Sequence, residues 1–141
     1  MIFQIQVTCP IEKAWESFLN NEIITKWLAI DAKINKRKNG NYKLVINDKE
    51  HHLLKDCKII EINEFSKLLF SWQGPQIFDI VMNFPDQLTH VEVNFTQESD
   101  LTVITLEHKG WKSSEDWQDA KKWHETQFWP EKLNNLKTLL N

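Results

Sequence analysis

The side chains best suited to chemistry near neutral pH are five histidines: His51, His52, His90, His108 and His124. None sits in an HExxH pattern or at Cys/His ligand spacing, so no metal site is implied. His51-His52 lies beside Asp48, Lys49 and Glu50, which reads as an exposed loop. His108 precedes Lys109-Gly110-Trp111 and is placed to fix a strand-to-helix turn by a hydrogen bond. Glycine occurs only 3 times, and neither a GxSxG elbow nor a phosphate-cradling loop is present. Cys9 and Cys57 make neither a disulfide framework nor a zinc site, and Cys57 reads as a small core residue. Asp79, Glu92 and Glu107 could approach a cavity if their elements turn that way. No catalytic residue, metal or cofactor is assigned. The pattern leans away from an enzyme, although cyclase-type chemistry needs only one or two polar groups in a shaped pocket.

The aromatic residues say more. Of 7 tryptophans, Trp111, Trp117, Trp123 and Trp129 stand six residues apart. Six residues turn a helix by about 240°, so Trp117, Trp123 and Trp129 cannot share one straight face. Trp129 precedes Pro130, a helix breaker. After the proline, Leu133, Leu136 and Leu140 continue a stripe that begins at Trp129. Upstream, that stripe is polar (Gln118, Lys122, Glu125, Thr126), and Trp117, Ala120 and Phe128 lie on the other side. The pattern predicts a kinked helix, or two helices, over about Ser114 to Leu139, with a buried face that changes sides near the proline. Ser113 or Ser114 is a cap candidate. His124 and Gln127 share the upstream inner face, a mixture that suits either a pocket wall or its solvated edge.

The elements that must position these residues are mostly strands. Ile2 to Thr8 alternates Phe3, Ile5 and Val7 with polar residues, the signature of a half-buried strand. Pro10 opens a short helix carrying Ala14, Trp15, Phe18 and Leu19. A second short helix follows Asn20-Asn21 and carries Ile23, Ile24, Trp27 and Leu28. Ala32-Ile34 and Tyr42-Ile46 flank Asn39-Gly40, a hairpin signal because both turn residues tolerate positive φ. Leu53 to Ile62 reads as one long strand and Leu68 to Trp72 as the next. Thr89 to Phe95 and Leu101 to His108 close the sheet. The run from Gly74 to Asp86 holds Ile77, Phe78, Ile80, Val81, Met82 and Phe84. Pro75 suits a helix start there, but the β-branched residues favour an extended segment. It either covers a cavity mouth as a lid or completes the core.

A chain of 141 residues with 41% hydrophobic content fits one domain, residues 1–141. No run approaches the roughly 20 apolar residues of a membrane span. The N-terminus lacks the pattern of a signal peptide, which points to the cytoplasm. A net charge of −3 gives no footprint for nucleic acid.

The strings PIEKAWESFLN with ITKWL, NGNYKL, KIIEINEFSKLLFSW, LTVITLEHKGW and FWPEKLNNLKTLL resemble, in order and spacing, the START-like (SRPBCC) helix-grip superfamily. They are most similar to its branch named for the activator of the heat-shock chaperone ATPase (AHSA-type). The resemblance implies an α+β helix-grip fold. A curved antiparallel sheet of about six or seven strands would hold a long C-terminal helix, with two short helices after the first strand. It also implies a cavity between sheet and helix that takes an apolar or aromatic, lipid-like or polyketide-like molecule. Trp27, Phe70, Trp72, Phe78, Met82, Trp111, Trp117, His124, Gln127 and Phe128 are the candidate lining. They would equally suit a filled core. In that case the family points to a protein partner such as a chaperone, and the third reading is a cyclase-type enzyme.

Overall fold

The structure, a computed structural model, describes residues 1–141. Strand β1 (Ile2–Val7) leads through Pro10 into helices α1 (Ile11–Glu16) and α2 (Asn21–Ile24). The Asn20 side chain caps α2, accepting from the amides of Glu22 and Ile23 at 2.9 and 3.2 Å. Then come β2 (Asp31–Ile34), β3 (Tyr42–Asn47), β4 (His52–Leu54), β5 (Ile59–Asn63) and β6 (Lys67–Trp72). A one-turn 3-10 helix (Gln76–Phe78) runs into α3 (Asp79–Met82). Strands β7 (Thr89–Glu98) and β8 (Leu101–Lys109) precede the C-terminal helix.

All strand pairs are antiparallel. They form a five-stranded sheet in the order β1-β8-β7-β6-β5 and a three-stranded sheet in the order β2-β3-β4. Alternation sets the inner face: Leu68, Phe70 and Trp72 on β6 and Val91, Val93 and Phe95 on β7 are buried. The expected long strand from Leu53 to Ile62 is instead two strands in different sheets. The break is built by side chains from the end of β6. Gln73 Oε1 accepts from the amides of Lys55 and Asp56, both at 2.9 Å, and Ser71 Oγ accepts from the Lys58 amide at 2.9 Å. Residues 57–59 also pair with residues 40–42: Tyr42 N–H donates to Cys57 O at 3.0 Å and Ile59 N–H to Gly40 O at 2.9 Å. The two sheets therefore run together as one curved wall.

Between β2 and β3 the turn is longer than a tight hairpin, since Ile34 pairs with Tyr42. Asn39 alone takes a positive φ, 65°. Gly40 is needed for a different reason: a Cβ there would lie 2.1 Å from the Asn35 carbonyl oxygen.

The C-terminal rod is continuous. Helix α4 (Glu115–Trp123), capped by Ser114, passes through a π-helical turn (His124–Phe128) into α5 (Trp129–Leu140). The irregularity expected at Pro130 thus takes the form of a wide turn just before it. The buried face does not change sides. His124, Phe128 and Trp129 all meet Trp72, with ring centroids 6.3, 5.5 and 5.1 Å away. Both stripes face the sheet because the turn holds an extra residue. A cluster of 34 buried residues joins rod, sheet and small helices.

Candidate functional site

The densest concentration of polar chemistry inside the molecule is a set of three buried histidines under the C-terminal rod. His52 on β4 is 1% exposed, and His108 on β8 and His124 in the π turn are both 0% exposed. The His108 and His124 rings are 5.1 Å apart, and His52 and His124 6.3 Å. Trp72 stands among them, 5.5 Å from His52 and 5.8 Å from His108.

Their partners fix every tautomer. An indole N–H can only donate and a carbonyl can only accept. Trp72 Nε1 donates to His124 Nε2 at 3.1 Å, so His124 carries its proton on Nδ1, which donates to Ala120 O at 2.8 Å. Trp129 Nε1 donates to His108 Nδ1 at 3.0 Å, so His108 Nε2–H donates to Thr89 Oγ1 at 2.9 Å. His52 Nε2–H donates to Gln73 O at 2.8 Å. Burial penalises the imidazolium form at all three. It lowers His52 to about 3 and His124 to about 4. His108 is held well below the usual histidine range, first by burial and then by the nearby His124. These rings are neutral hydrogen-bonding struts at physiological pH.

No histidine, cysteine or carboxylate cluster is placed to hold a metal ion. Glu92 and Glu107 pair across β7 and β8. Glu92 is held by Lys109 at 2.9 Å and Lys67 at 3.6 Å, which keeps its carboxyl below the usual range. Asp79 accepts from the Asn83 side chain. Cys57 is buried and its thiol is pushed up to about 12, chiefly by desolvation, so it is no nucleophile.

Most of the sequence-derived lining residues meet around this centre. Phe70 stacks on Tyr42 at 4.2 Å and lies 6.3 Å from Trp72. Trp111 lies 5.2 Å from His124 and 6.2 Å from Trp117. Phe78 reaches Trp123 at 5.9 Å and His124 at 6.5 Å. Met82 packs over Gly74, where a Cβ would come within 2.6 Å of its sulfur. Two residues stand apart. Trp27 packs on Phe18 at 4.9 Å and donates to Ser17 O at 2.8 Å, at the end closed by α1. Gln127 is exposed.

Sequence reasoning missed His52, which was expected beside His51 in an exposed loop. Only His51 is exposed. The two-residue period linking His52 to Leu54, both buried on β4, is the signal that could have separated them. His108 was expected to fix the strand-to-helix turn. Its ring instead ties β8 to β7 and the rod, while its carbonyl holds the turn by accepting from Trp111 Nε1 at 3.0 Å.

Two clefts flank the aromatic centre. One, of about 420 Å³, lies between β4, the end of β6 and the segment after it, and includes Leu53, Gln73, Gly74, Ile80, Asn83 and Phe84. That segment is helical rather than extended: Pro75 precedes its first turn, and the Asn83 side chain pairs with both backbone groups of Gly74 at 2.8 and 3.0 Å. Val81 and Met82 point inward, whereas Ile77, Ile80 and Phe84 are 80%, 69% and 52% exposed. The other cleft, of about 120 Å³, opens between the turn after β3 and the π turn, with His52, Trp123, Gln127 and Phe128 in its walls.

A curved antiparallel wall closed on a long terminal helix, with two short helices after the first strand, is the helix-grip architecture. Residues 8–141 match the family described as Activator of Hsp90 ATPase homolog 1-like protein, and the chain belongs to that family. Its fold is shared by protein MLL2253 from Mesorhizobium loti (18% identity, TM-score 0.78, 99% of this chain and 95% of that one). It is shared also by Aha1 from Colwellia psychrerythraea, solved as a dimer (17%, 0.74, 99% and 94%). A third is PFC0360w, an HSP90 activator from Plasmodium falciparum (19%, 0.68, 99% and 96%). No curated protein matches the sequence. No helix is long and apolar enough to cross a membrane.

Proposed function

We propose that this chain is a non-catalytic docking domain that binds an apolar segment of a chaperone of the Hsp90 type. One observation carries the reading: Ile80 and Phe84 line, with Leu53, 39% exposed, a cleft of about 420 Å³, and Ile77 projects into solvent from the same 75–86 segment. Large apolar side chains gathered at a cleft, rather than scattered singly, mark interaction surfaces. The family description and the HSP90 activator of the same fold supply the class of partner. Two buried free thiols suit the reducing cytoplasm where such a partner works. Titration of a purified Hsp90-type chaperone with this chain, followed by calorimetry and ATPase rate, tests the reading. Ile77→Asp with Ile80→Asp should weaken binding at least tenfold while leaving the circular dichroism unchanged. An unmodified chain that neither binds the chaperone nor alters its ATPase overturns it.

A second reading rests on a different observation. Phe78 and Met82 cover the tryptophan–histidine centre through a short segment held at its ends by the Asn83–Gly74 pair. Such a cover could swing aside to admit an apolar or aromatic molecule, lipid-like or polyketide-like, between sheet and rod. Phe70, Trp72, Trp117 and Phe128 would contact it. Quenching of tryptophan fluorescence by a lipid and aromatic panel supports this reading, and a flat response removes it.

A further inference from the structure

We propose that the cleft between the turn after β3 and the π turn is a binding site for a small phenol, whose hydroxyl donates to His52 Nδ1. The proposal deepens the guest-binding reading and is independent of the docking surface on the 75–86 segment.

The chemistry begins with the tautomer. His52 Nε2 donates to the Gln73 carbonyl, so Nδ1 holds a lone pair and can only accept. None of the hydrogen bonds of His52 uses Nδ1. Yet the protein has no sealed-off side-chain nitrogen or oxygen lacking a partner. Nδ1 therefore keeps access to the outside although His52 is 1% exposed, and the cleft that His52 lines supplies the opening. A nine-tenths-buried acceptor facing an open space is a built recognition feature rather than a solvated surface group.

The walls select the rest of the ligand. Trp123 and Phe128 lie 5.3 Å apart with their planes at 31° and present aromatic surface. Ile46 adds an apolar side. The volume of about 120 Å³ is close to the roughly 150 Å³ that holds benzene in an apolar cavity, so a single ring fits. The wide turn from His124 to Phe128 places Trp123 and Phe128 at the cleft together, a use of π-helical turns met at functional sites. The charged groups around His52 are Lys132, whose Nζ lies 5.8 Å over the Phe128 ring, and Glu50 and Glu131 at the rim. The neutral His124 ring also faces it from the rod, 6.3 Å away. With two carboxylates against one ammonium, the rim does not favour an anion. Aliphatic alcohols offer a donor but no ring, and aryl ethers a ring but no donor. A phenol offers both. Burial holds His52 at about 3, so the acceptor stays available across the neutral range.

The test uses the whole chain, selectively ¹⁵N-labelled on histidine. Phenol and p-cresol are titrated against anisole and toluene, with the His52 Nδ1 resonance and tryptophan fluorescence as readouts. Phenol should shift Nδ1 as it gains a hydrogen bond, and anisole should bind at least tenfold more weakly. Gln127→Trp, an exposed position that would fill the cleft, should abolish the shift without unfolding the chain. Equal binding of phenol and anisole, or an unmoved Nδ1 resonance, overturns the proposal. If a larger apolar guest still quenches fluorescence while Nδ1 stays unmoved, this site fails and the broader guest-binding reading survives.

Discussion

Lowering the pH from 7.5 to 5 should remove about 4 kcal/mol of folding stability through His52 and His124 under the rod, with His108 adding in the same direction. Each is neutral in the folded protein, at about 3 for His52, about 4 for His124 and well below the usual range for His108. In the unfolded chain each titrates near 6.5. The unfolded state therefore takes up protons first as pH falls through 6.5, and stability is lost from 6.5 down to about 4 for His124 and about 3 for His52. At pH 5 His52 and His124 each contribute a loss of about 2 kcal/mol, or roughly 1.4 kcal/mol per pH unit times the distance below 6.5. These two together near pH 5.5 give a slope of about 2.5 kcal/mol per pH unit, which His108 steepens. His90, lowered by partial burial and then by Lys109, adds in the same direction. Against a typical total of about 5–15 kcal/mol, that loss is decisive. Urea unfolding at pH 7.5, 6.5, 5.5 and 5.0, read by tryptophan fluorescence, measures it. In His124→Gln, which keeps an acceptor for Trp72 Nε1, the slope should fall by about one proton. A stability that is flat between pH 7 and 5, or a slope unchanged in that variant, refutes the assignment of neutral buried rings.

Three further outcomes follow from the same contacts. Trp72→Phe leaves His124 Nε2 buried without its donor and should cost about 2–4 kcal/mol, adding lost packing to the unsatisfied acceptor; urea midpoints check it. Asn83→Ala removes both side-chain bonds to Gly74, so amide exchange over residues 75–84 should accelerate at least tenfold while β7 and β8 keep their protection. Deletion of the exposed Gln127 should turn the π turn into regular α-helix and keep the chain folded. Deletion of the exposed Asn134 should expose Leu136 and Leu140 and cost several kcal/mol, as thermal melts of the two variants will show.

The sequence carried the strands wherever one face is buried and the other wet, because the period of two is then written directly in residue type. Partly buried Phe3 and Ile5 with buried Val7, then buried Leu68, Phe70 and Trp72, then buried Val91, Val93 and Phe95 all lie where alternation put them. Alternation could not show the break between Leu54 and Ile59, because it is made by Gln73 and Ser71, distant in sequence, whose side chains take over ladder hydrogen bonds. The 75–86 segment is helical despite its β-branched residues, since Asn83 and Gly74 close it and tertiary context outweighs propensity. The aromatic set was legible as a set, and its burial follows from hydrophobicity alone. Its internal wiring was not, because which indole meets which imidazole depends on where two non-adjacent elements cross. Trp27 shows the limit: its residue type fits the same set, but its place on the chain takes it to the other end of the molecule.

The rod illustrates how a correct phase argument can reach the wrong geometry. Trp117, Ala120, His124 and Phe128 form one stripe, and Trp129, Leu133, Leu136 and Leu140 another. At about 100° per residue the two are offset by roughly 145°. In a regular helix that offset would turn one stripe to solvent, exposing Leu133, Leu136 and Leu140 at about 1.5–3 kcal/mol each. The chain has two ways to avoid this: bend the rod at Pro130 so that separate surfaces cover each half, or spend one residue without advancing the helix. The sheet offers one concave face, so the second course wins. The extra residue in the π turn takes back about 100°, and the remaining offset lies within the ≳100° width of an apolar stripe. Pro130, which lacks the N–H that a regular helix would direct at the Thr126 carbonyl, makes the wide turn cheaper without causing it. The cause is the demand that His124, Phe128 and Trp129 all reach Trp72, and the same widening brings Trp123 and Phe128 to the wall of the His52 cleft.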